Sequence, residues 1–454
     1  MKKLAVAFFV TLPLFAQTTQ QNAEKLVEHI LGKSEAYETL AHLTDDIGPR
    51  LSGSKGAEQA VQWTTQQFKE WGIDVRNEKV MVPHWVRGVE TATLVSHNDR
   101  TIVLTALGGS VATPDDGITA DLIEVSSFDE LAKLGREKIE GKIVVYYNPM
   151  DLSLIEQGHA FEAYGKAVAY RGIGASRAAE YGAVATVIRS VASASLRTPH
   201  TGSLRYDEKQ PKIPAAAMTV EDSELVHRLL GAGKKVRMHL TLTPKSLPEV
   251  ESANVVAEIK GSEHPEEIVL IGGHLDSWDL ASGAIDNGSG VSMVMETMRA
   301  LKELGIQPKR TIRAVLFMNE ENGLRGGRGY FDVVKQNGEL QKHVAAIETD
   351  AGAARPVGFT TTIEGERLLG VQAKASALDR LGKFTWTKSD QTGADTSPLT
   401  AAGIPGFGLV PDPRHYFDHH HAPSDTLDKV DPKELAQDTA AVAALAYVIA
   451  NEGL

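Results

Sequence analysis

The chain has 454 residues, of which 42% are hydrophobic and 23% charged, so it exceeds one ordinary domain and has material for two buried cores. A net charge of −12 repels phosphate backbones and argues against nucleic acid as a partner. There is no cysteine, which excludes disulfides, thiolate zinc sites and cysteine nucleophiles; any metal must be held by His, Asp and Glu.

In chain order, Lys2 and Lys3 precede an apolar run from Leu4 to Phe15, and Ala16 offers a small residue before a polar stretch. This is a secretory leader pattern over residues 1–16. The run is too short for a comfortable membrane span. The mature protein is expected outside the cytoplasm, secreted or periplasmic, with no membrane attachment.

Residues 24–31 and 35–43 read as helices, and 46–54 as a turn-rich loop. The periodicity predicts a helix over 56–71, then strands at 75–82 and 91–95. The stretch 115–245 has another character. It carries strand-like runs at 122–125, 142–147, 183–188 and 236–242, separated by small-residue segments such as 172–179. No His/Asp/Glu cluster at metal spacing falls within it. It reads as an inserted β-rich domain that interrupts a discontinuous catalytic unit, 17–114 and 246–454.

From residue 254 onward short apolar runs return, at 255–259, 268–271, 311–318, 344–347 and 406–410. Helical patterns at 289–304, 329–336 and 365–381 separate most of them, and an amphipathic helix closes the chain at 431–451. Near-continuous apolar strands alternating with helices predict an α/β fold: a mixed, mostly parallel sheet flanked by helices on both faces.

The polar clusters of this region follow strands. Gly272-Gly-His-Leu-Asp-Ser277, Asn319-Glu-Glu-Asn-Gly323 and Glu348-Thr-Asp-Ala-Gly352 each sit at a carboxyl end, the edge at which open α/β sheets bind ligands. A loop before a helix adds Asp286, and a turn-rich segment adds His419, His420 and His421. Singly these are weak signals. A His-x-Asp is a common surface turn, Asp286 could be a helix N-cap, and paired glutamates are often solvated. Together, His274, Asp276, Asp286, Glu320, Glu321, Asp350 and one histidine of 419–421 crowd acids into one crevice, where repulsion is costly without cations. Two imidazoles and three carboxylates suffice for a metal pair sharing a bridging carboxylate, as in two-metal hydrolases. Open nitrogen-and-carboxylate sites suit Zn²⁺; Mn²⁺ or Co²⁺ fit the same ligand types.

The sequence resembles the secreted dinuclear zinc exopeptidases of the aminopeptidase and glutamate carboxypeptidase type, especially their plasma glutamate carboxypeptidase branch. The motifs that carry the resemblance are Ile47-Gly-Pro-Arg-Leu-Ser-Gly53, Gly273-His-Leu-Asp-Ser277, Ile285-Asp-Asn-Gly-Ser-Gly290, Asn319-Glu-Glu-Asn-Gly-Leu324, Glu348-Thr-Asp350, Gly393-Ala-Asp395 and His420-His-Ala-Pro-Ser-Asp-Thr426. The insert resembles a protease-associated domain. The resemblance implies that Asp286 bridges two zinc ions, one also held by His274 and Asp350, the other by Glu321 and His421. His421 is chosen because the family ligand stands four residues before an acid, here Asp425. Glu320 is then the general base, and Asp276 is expected to hydrogen-bond the second ring nitrogen of His274.

The expected function is cleavage of terminal bonds of short peptides, as an aminopeptidase or dipeptidase. A free amino group would be held by the ligating carboxylates with Glu348 or Asp395. The alternative, a carboxypeptidase acting on dipeptides, needs a cation for the terminal carboxylate, and Arg325, Arg328 and Arg414 lie near site motifs. A single-zinc glutaminyl cyclase or a receptor-like relative without catalysis would lack some of the five ligands. A homodimer is expected from the resemblance alone.

Overall fold

The computed structural model describes residues 18–454. The leader predicted at residues 1–16 lies outside the described residues. Among the described residues no helix is long and apolar enough to cross a membrane.

An eight-stranded main sheet uses β1 (Asp74–Val86), β2 (Lys245–Ile259), β3 (His264–His274), β4 (Arg310–Phe317), β5 (His343–Glu348), β6 (Pro356–Thr361), β7 (Thr385–Lys388) and β8 (Gly406–Pro411). Their order is β1-β2-β4-β3-β5-β8-β6-β7. The central strands β4, β3, β5 and β8 are parallel, and antiparallel pairings occur at β1–β2, β2–β4 and β6–β8. The predicted mixed, mostly parallel sheet is therefore present.

The central strands are buried on both faces because their successive side chains enter different cores. Val269 and Ile271 pack on one face with Ile312, Ala314 and Leu316. Leu270, Val315 and Phe317 point to the other, with Tyr330 and Ala346. The first face is covered by helices Ser289–Glu303 and Pro432–Glu452, the latter started by Pro432 and by Asp431, whose carboxylate accepts from the Lys433 and Glu434 amides.

The second sheet draws short strands from Glu90–Leu94 through Arg237–Leu242. Its first strands precede residue 115, so residues 90–106, grouped above with the catalytic unit, pair instead with strands of the second body. The division at 115 is corrected to that extent. Propensity hid part of this body. Ala215–Met218 is a strand of residues that favour helix, and it is buried between two neighbours. The small-residue segment near 172–179 is a helix, Ala169–Ala179.

Both crossings into this body lie at one end of the β1–β2 ribbon, where Val86 pairs with Lys245. Two further contacts seat it on the main sheet. Trp278, just after β3, packs into the second core against Gly108, where a Cβ would overlap the indole. Arg87 makes a two-pronged pair with Asp279, at 2.8 and 2.6 Å.

Candidate metal centre and active site

The parallel strands bring their carboxyl ends level. His274 ends β3 and lies in register with Phe317 of β4, while Gly272 pairs with Glu348 of β5. Hence the loops after β3, β4 and β5 open on one crevice and deliver His274, Glu320 with Glu321, and Asp350 to it. Asp286 enters from the loop before helix Ser289–Glu303, and His421 from the turn after Tyr416–His419.

The His274 Nε2 atom lies 3.2 Å from both Asp286 Oδ1 and Asp350 Oδ1. The other Asp286 oxygen is 3.2 Å from His421 Nε2, which is 3.0 Å from Glu321 Oε2. Asp286 thus stands between two imidazole–carboxylate pairs, and all five predicted ligand residues meet. His420 is also close, with its Nε2 3.5 Å from Asp286, but it stacks on His421 rather than reaching Glu321. His419 turns away to Ser424. His421 has a φ of 62°, a left-handed conformation that costs a non-glycine residue of order 1 kcal/mol.

One expectation is corrected. The carboxylate of Asp276 is not the partner of the His274 ring. The Nδ1 position is 3.0 Å from the Asp276 main-chain carbonyl, whereas the carboxylate is 3.9 Å away. That carboxylate instead accepts the amides of Asn319 and Glu320, at 2.8 and 3.0 Å, and that of Glu321 at 3.4 Å. Asp276 holds the glutamate loop in place, and its peptide unit orients the histidine.

Other groups hold the loops. Asp425 accepts the amides of Ala284, Ile285 and Asp286. Asn287 donates to the Thr349 carbonyl at 2.6 Å and accepts from Gly290, where a Cβ would sit 2.2 Å from both partners. Arg50, from the Ile47–Gly53 motif, is fully buried and donates only to main-chain carbonyls, those of Leu43, Gly48, Leu275, Ser282 and Gly283. It ties the motif to the loops carrying His274 and Asp286, and nothing in the sequence distinguished this role from a surface charge.

The electrostatics are those of crowded buried acids. Burial, then repulsion by Asp286, pushes Glu321 up to about 7. Burial, then Asp350, lifts Glu348 to about 7, and burial raises Asp425 to about 7 against three donated amides. Burial also drives Glu320 well upward. Burial depresses His421, but Glu321 and Asp286 outweigh it and raise the ring to about 9. Burial lowers the Arg50 guanidinium only to about 10, so it stays charged at neutral pH.

The donor set fits a pair of cations. Asp286 Oδ2 and Glu321 Oε1 are buried and accept no hydrogen bond, although their carboxylates face imidazoles. Donor atoms of His274, Asp286 and Glu321 lie within 4.8 Å of one another, as do those of Asp286, His420 and His421. Uncompensated buried carboxylates cost several kcal/mol each, and divalent ions bound by nitrogen and oxygen donors answer that cost.

Of the remaining residues singled out in the sequence, Glu348 accepts the amides of Asp395 and Thr396, and Asp395 is buried beside it with both oxygens unpaired. Three predicted cations do not reach the crevice. Arg325 pairs with Glu249, Arg328 touches only the Gly323 carbonyl, and Arg414 folds back on Asp412. A cation from the second body, Arg171, does reach it. Its Nη1 is 3.3 Å from His421 Nδ1.

The family model of peptidase family M28 matches residues 254–446, the span that holds all five predicted ligand residues. Carboxypeptidase Q of Mus musculus is 40% identical over 420 residues, covering 92% of this chain and 86% of its own. The crystal structure of a peptidase M28 precursor from Shewanella amazonensis superposes with a TM-score of 0.92 at 37% identity, covering 96% of this chain and 97% of that one. A zinc aminopeptidase from Bacillus subtilis shares the fold at a TM-score of 0.67 and 23% identity, over 92% of this chain and 96% of its own.

Proposed function

The chain belongs to peptidase family M28 and is a metallopeptidase, a hydrolase of peptide bonds, and from that premise we propose that it uses two zinc ions to cleave terminal bonds of short peptides, as an aminopeptidase or dipeptidase. The observation that carries the reading is the convergence of four donor residues on Asp286, with a buried Glu321 oxygen, Oε1, left without a hydrogen-bond partner. Asp286 would be shared by both ions. His274 and Asp350 would complete one site, Glu321 and His421 the other. Mn²⁺ or Co²⁺ would suit the same donors. When bound, such a pair lowers the pKa of a water and polarises the scissile carbonyl.

Glu320 is the general base in this scheme. It takes a proton from the attacking water and hands it to the leaving amine. Asp276 is a positioning residue that fixes the Glu320 and Glu321 amides and, through its carbonyl, the His274 ring. We read the body built on the second sheet as a protease-associated insert walling the crevice, since Tyr164, Arg171 and Thr201 approach from it. The leader pattern supports export of the enzyme.

The second reading, a carboxypeptidase acting on dipeptides, is favoured by one observation, the guanidinium beside His421. The test measures metal content by mass spectrometry on the same sample that is offered dipeptides with free, N-blocked or C-blocked ends. Two metals per chain and hydrolysis only with a free amino end are expected for an aminopeptidase. Hydrolysis of N-blocked substrates moves the conclusion to a carboxypeptidase, and absence of both metal and hydrolysis overturns the proposal.

A further inference from the structure

Among the five ligand residues, His421 differs in what orients it. His274 ends a central strand, and the carbonyl facing its Nδ1 belongs to Asp276, two residues on in the same loop. The carbonyl facing Nδ1 of His421, at 3.3 Å, is that of Thr201, in the second body and 220 residues away. Arg171 Nη1 lies equally near that nitrogen. A guanidinium has no acceptor, however, so it cannot orient a ring that offers Nε2 to a metal and carries its proton on Nδ1.

The same segment grips the main chain of the His421 turn. The Thr201 amide donates to the His421 carbonyl at 2.9 Å, and Nδ1 of His200 donates to the His420 carbonyl at 2.7 Å. His200 is 2% exposed, and burial lowers its pKa to about 3, so the ring is neutral. It is anchored in turn: its amide donates to the Ser190 hydroxyl at 2.9 Å, which donates to the Met218 carbonyl at 2.7 Å. The Thr201 hydroxyl donates to the Ala106 carbonyl at 2.9 Å. Both residues stand in a long loop, 190–214, that has no helix or strand, a length that is uncommon unless the loop has a task. What it holds is a backbone under strain. His421 is left-handed, with a φ of 62°, and such a conformation persists only when its surroundings over-determine it.

We propose that His200 and the Thr201 peptide form a clamp, supplied by the second body, that positions His421. The ion held by Glu321 and His421 then binds tightly only when the two bodies are docked, and by linkage its binding tightens the docking. The ion held by His274 and Asp350 has no such dependence, since its ligands are oriented within the main sheet. His200 is a positioning residue that acts through the His420–His421 main chain. The proposal rests on the two-ion reading above.

The test titrates metal-free protein with Zn²⁺ against a competing chelator. The wild type is expected to take up two equivalents. In His200→Ala one equivalent should lose about 10–100-fold in affinity while the other is unchanged. His200→Asn, whose side-chain N–H can stand where Nδ1–H stood, should recover most of the loss. Hydrogen exchange gives a second readout on the wild type alone: the Thr201 amide should gain protection with the equivalent that His200→Ala weakens, and not with the other. A merely structural role would weaken both equivalents together. Equal losses at both sites, or none, in His200→Ala overturns the clamp. Melting temperatures identify a variant that fails to fold. In that case the wild-type exchange decides, and a Thr201 amide indifferent to both equivalents overturns the clamp. A wild type that binds a single ion overturns the two-ion reading instead; if His200→Ala still weakens that ion and His200→Asn restores it, the clamp on His421 stands.

Discussion

The two bodies meet at the same crevice but contribute opposite chemistry. The main sheet supplies acids and imidazoles, and its carboxylates are held by backbone amides: Asp276 by three, Asp425 by three, Glu348 by two. The second body supplies a guanidinium, a phenol and a main-chain carbonyl, all gathered around His421. Strand ends in register can fix charged groups to within fractions of an ångström, which suits metal ligands and a base. A separate body attached through one ribbon suits recognition, since its loops away from the His421 turn vary without disturbing the ligands.

That contrast is open to direct attack. The largest effect is expected on the main-sheet side. Asp286→Ala removes the shared carboxylate, so metal content measured by mass spectrometry should collapse and hydrolysis fall to background; retention of both metals would break the division of labour. Glu320→Gln should keep the metals and lower kcat by about 10²–10⁴-fold. A normal kcat in that variant would remove the base from this side of the crevice. Asp276→Ala loosens the glutamate loop without deleting a ligand, and a loss of roughly 10–100-fold in metal affinity or rate is expected, read by titration against a chelator.

The smallest effect concerns pH and the metal-free protein. Glu321, Glu348 and Asp425 have folded-state values near 7, above the ordinary carboxylate range of 3.8–4.5, and His421 is raised from 6.5 to about 9. A raised value means that the folded state binds the proton more tightly than the unfolded one. The stabilisation is complete below the unfolded value and is lost as pH rises through the folded one. Metal-free protein should therefore lose melting temperature from about pH 4.5 to 9. With zinc the trend should reverse at the upper end, because ligands must be deprotonated to bind metal. A metal-free protein whose stability rises with pH over that window would contradict this account of the buried acids.

The main sheet was largely legible because its apolar runs and polar punctuation are local. The cluster after each strand announced His274, Glu320, Glu321 and Asp350; the turn-rich segments supplied Asp286 and one histidine of 419–421, and the family resemblance selected His421. What escaped depends on contacts distant in sequence. Arg171 is one arginine in a segment of small residues, and only the packing of that helix against the His421 turn sets it apart, 250 residues away. The partner of the His274 ring was misread because a carboxylate two residues on competes with its own peptide carbonyl, and spacing alone cannot decide between them. The strand Ala215–Met218 escaped because its context, not its propensity, makes it extended.

Arg50 bears on how the protein matures. Its charge is solvated by peptide carbonyls rather than paired with an acid, so it lies beside Asp276, Asp286, Glu321 and Asp425 as a permanent counter-ion that no substrate or metal displaces. The nascent chain thus carries part of its own neutralisation, so the fold is expected to form before metal binds, unlike that of a small zinc finger. The expected consequence is that metal acquisition follows assembly of the scaffold, so chelation should silence the enzyme while leaving its architecture standing, read as lost hydrolysis with an unchanged circular-dichroism spectrum.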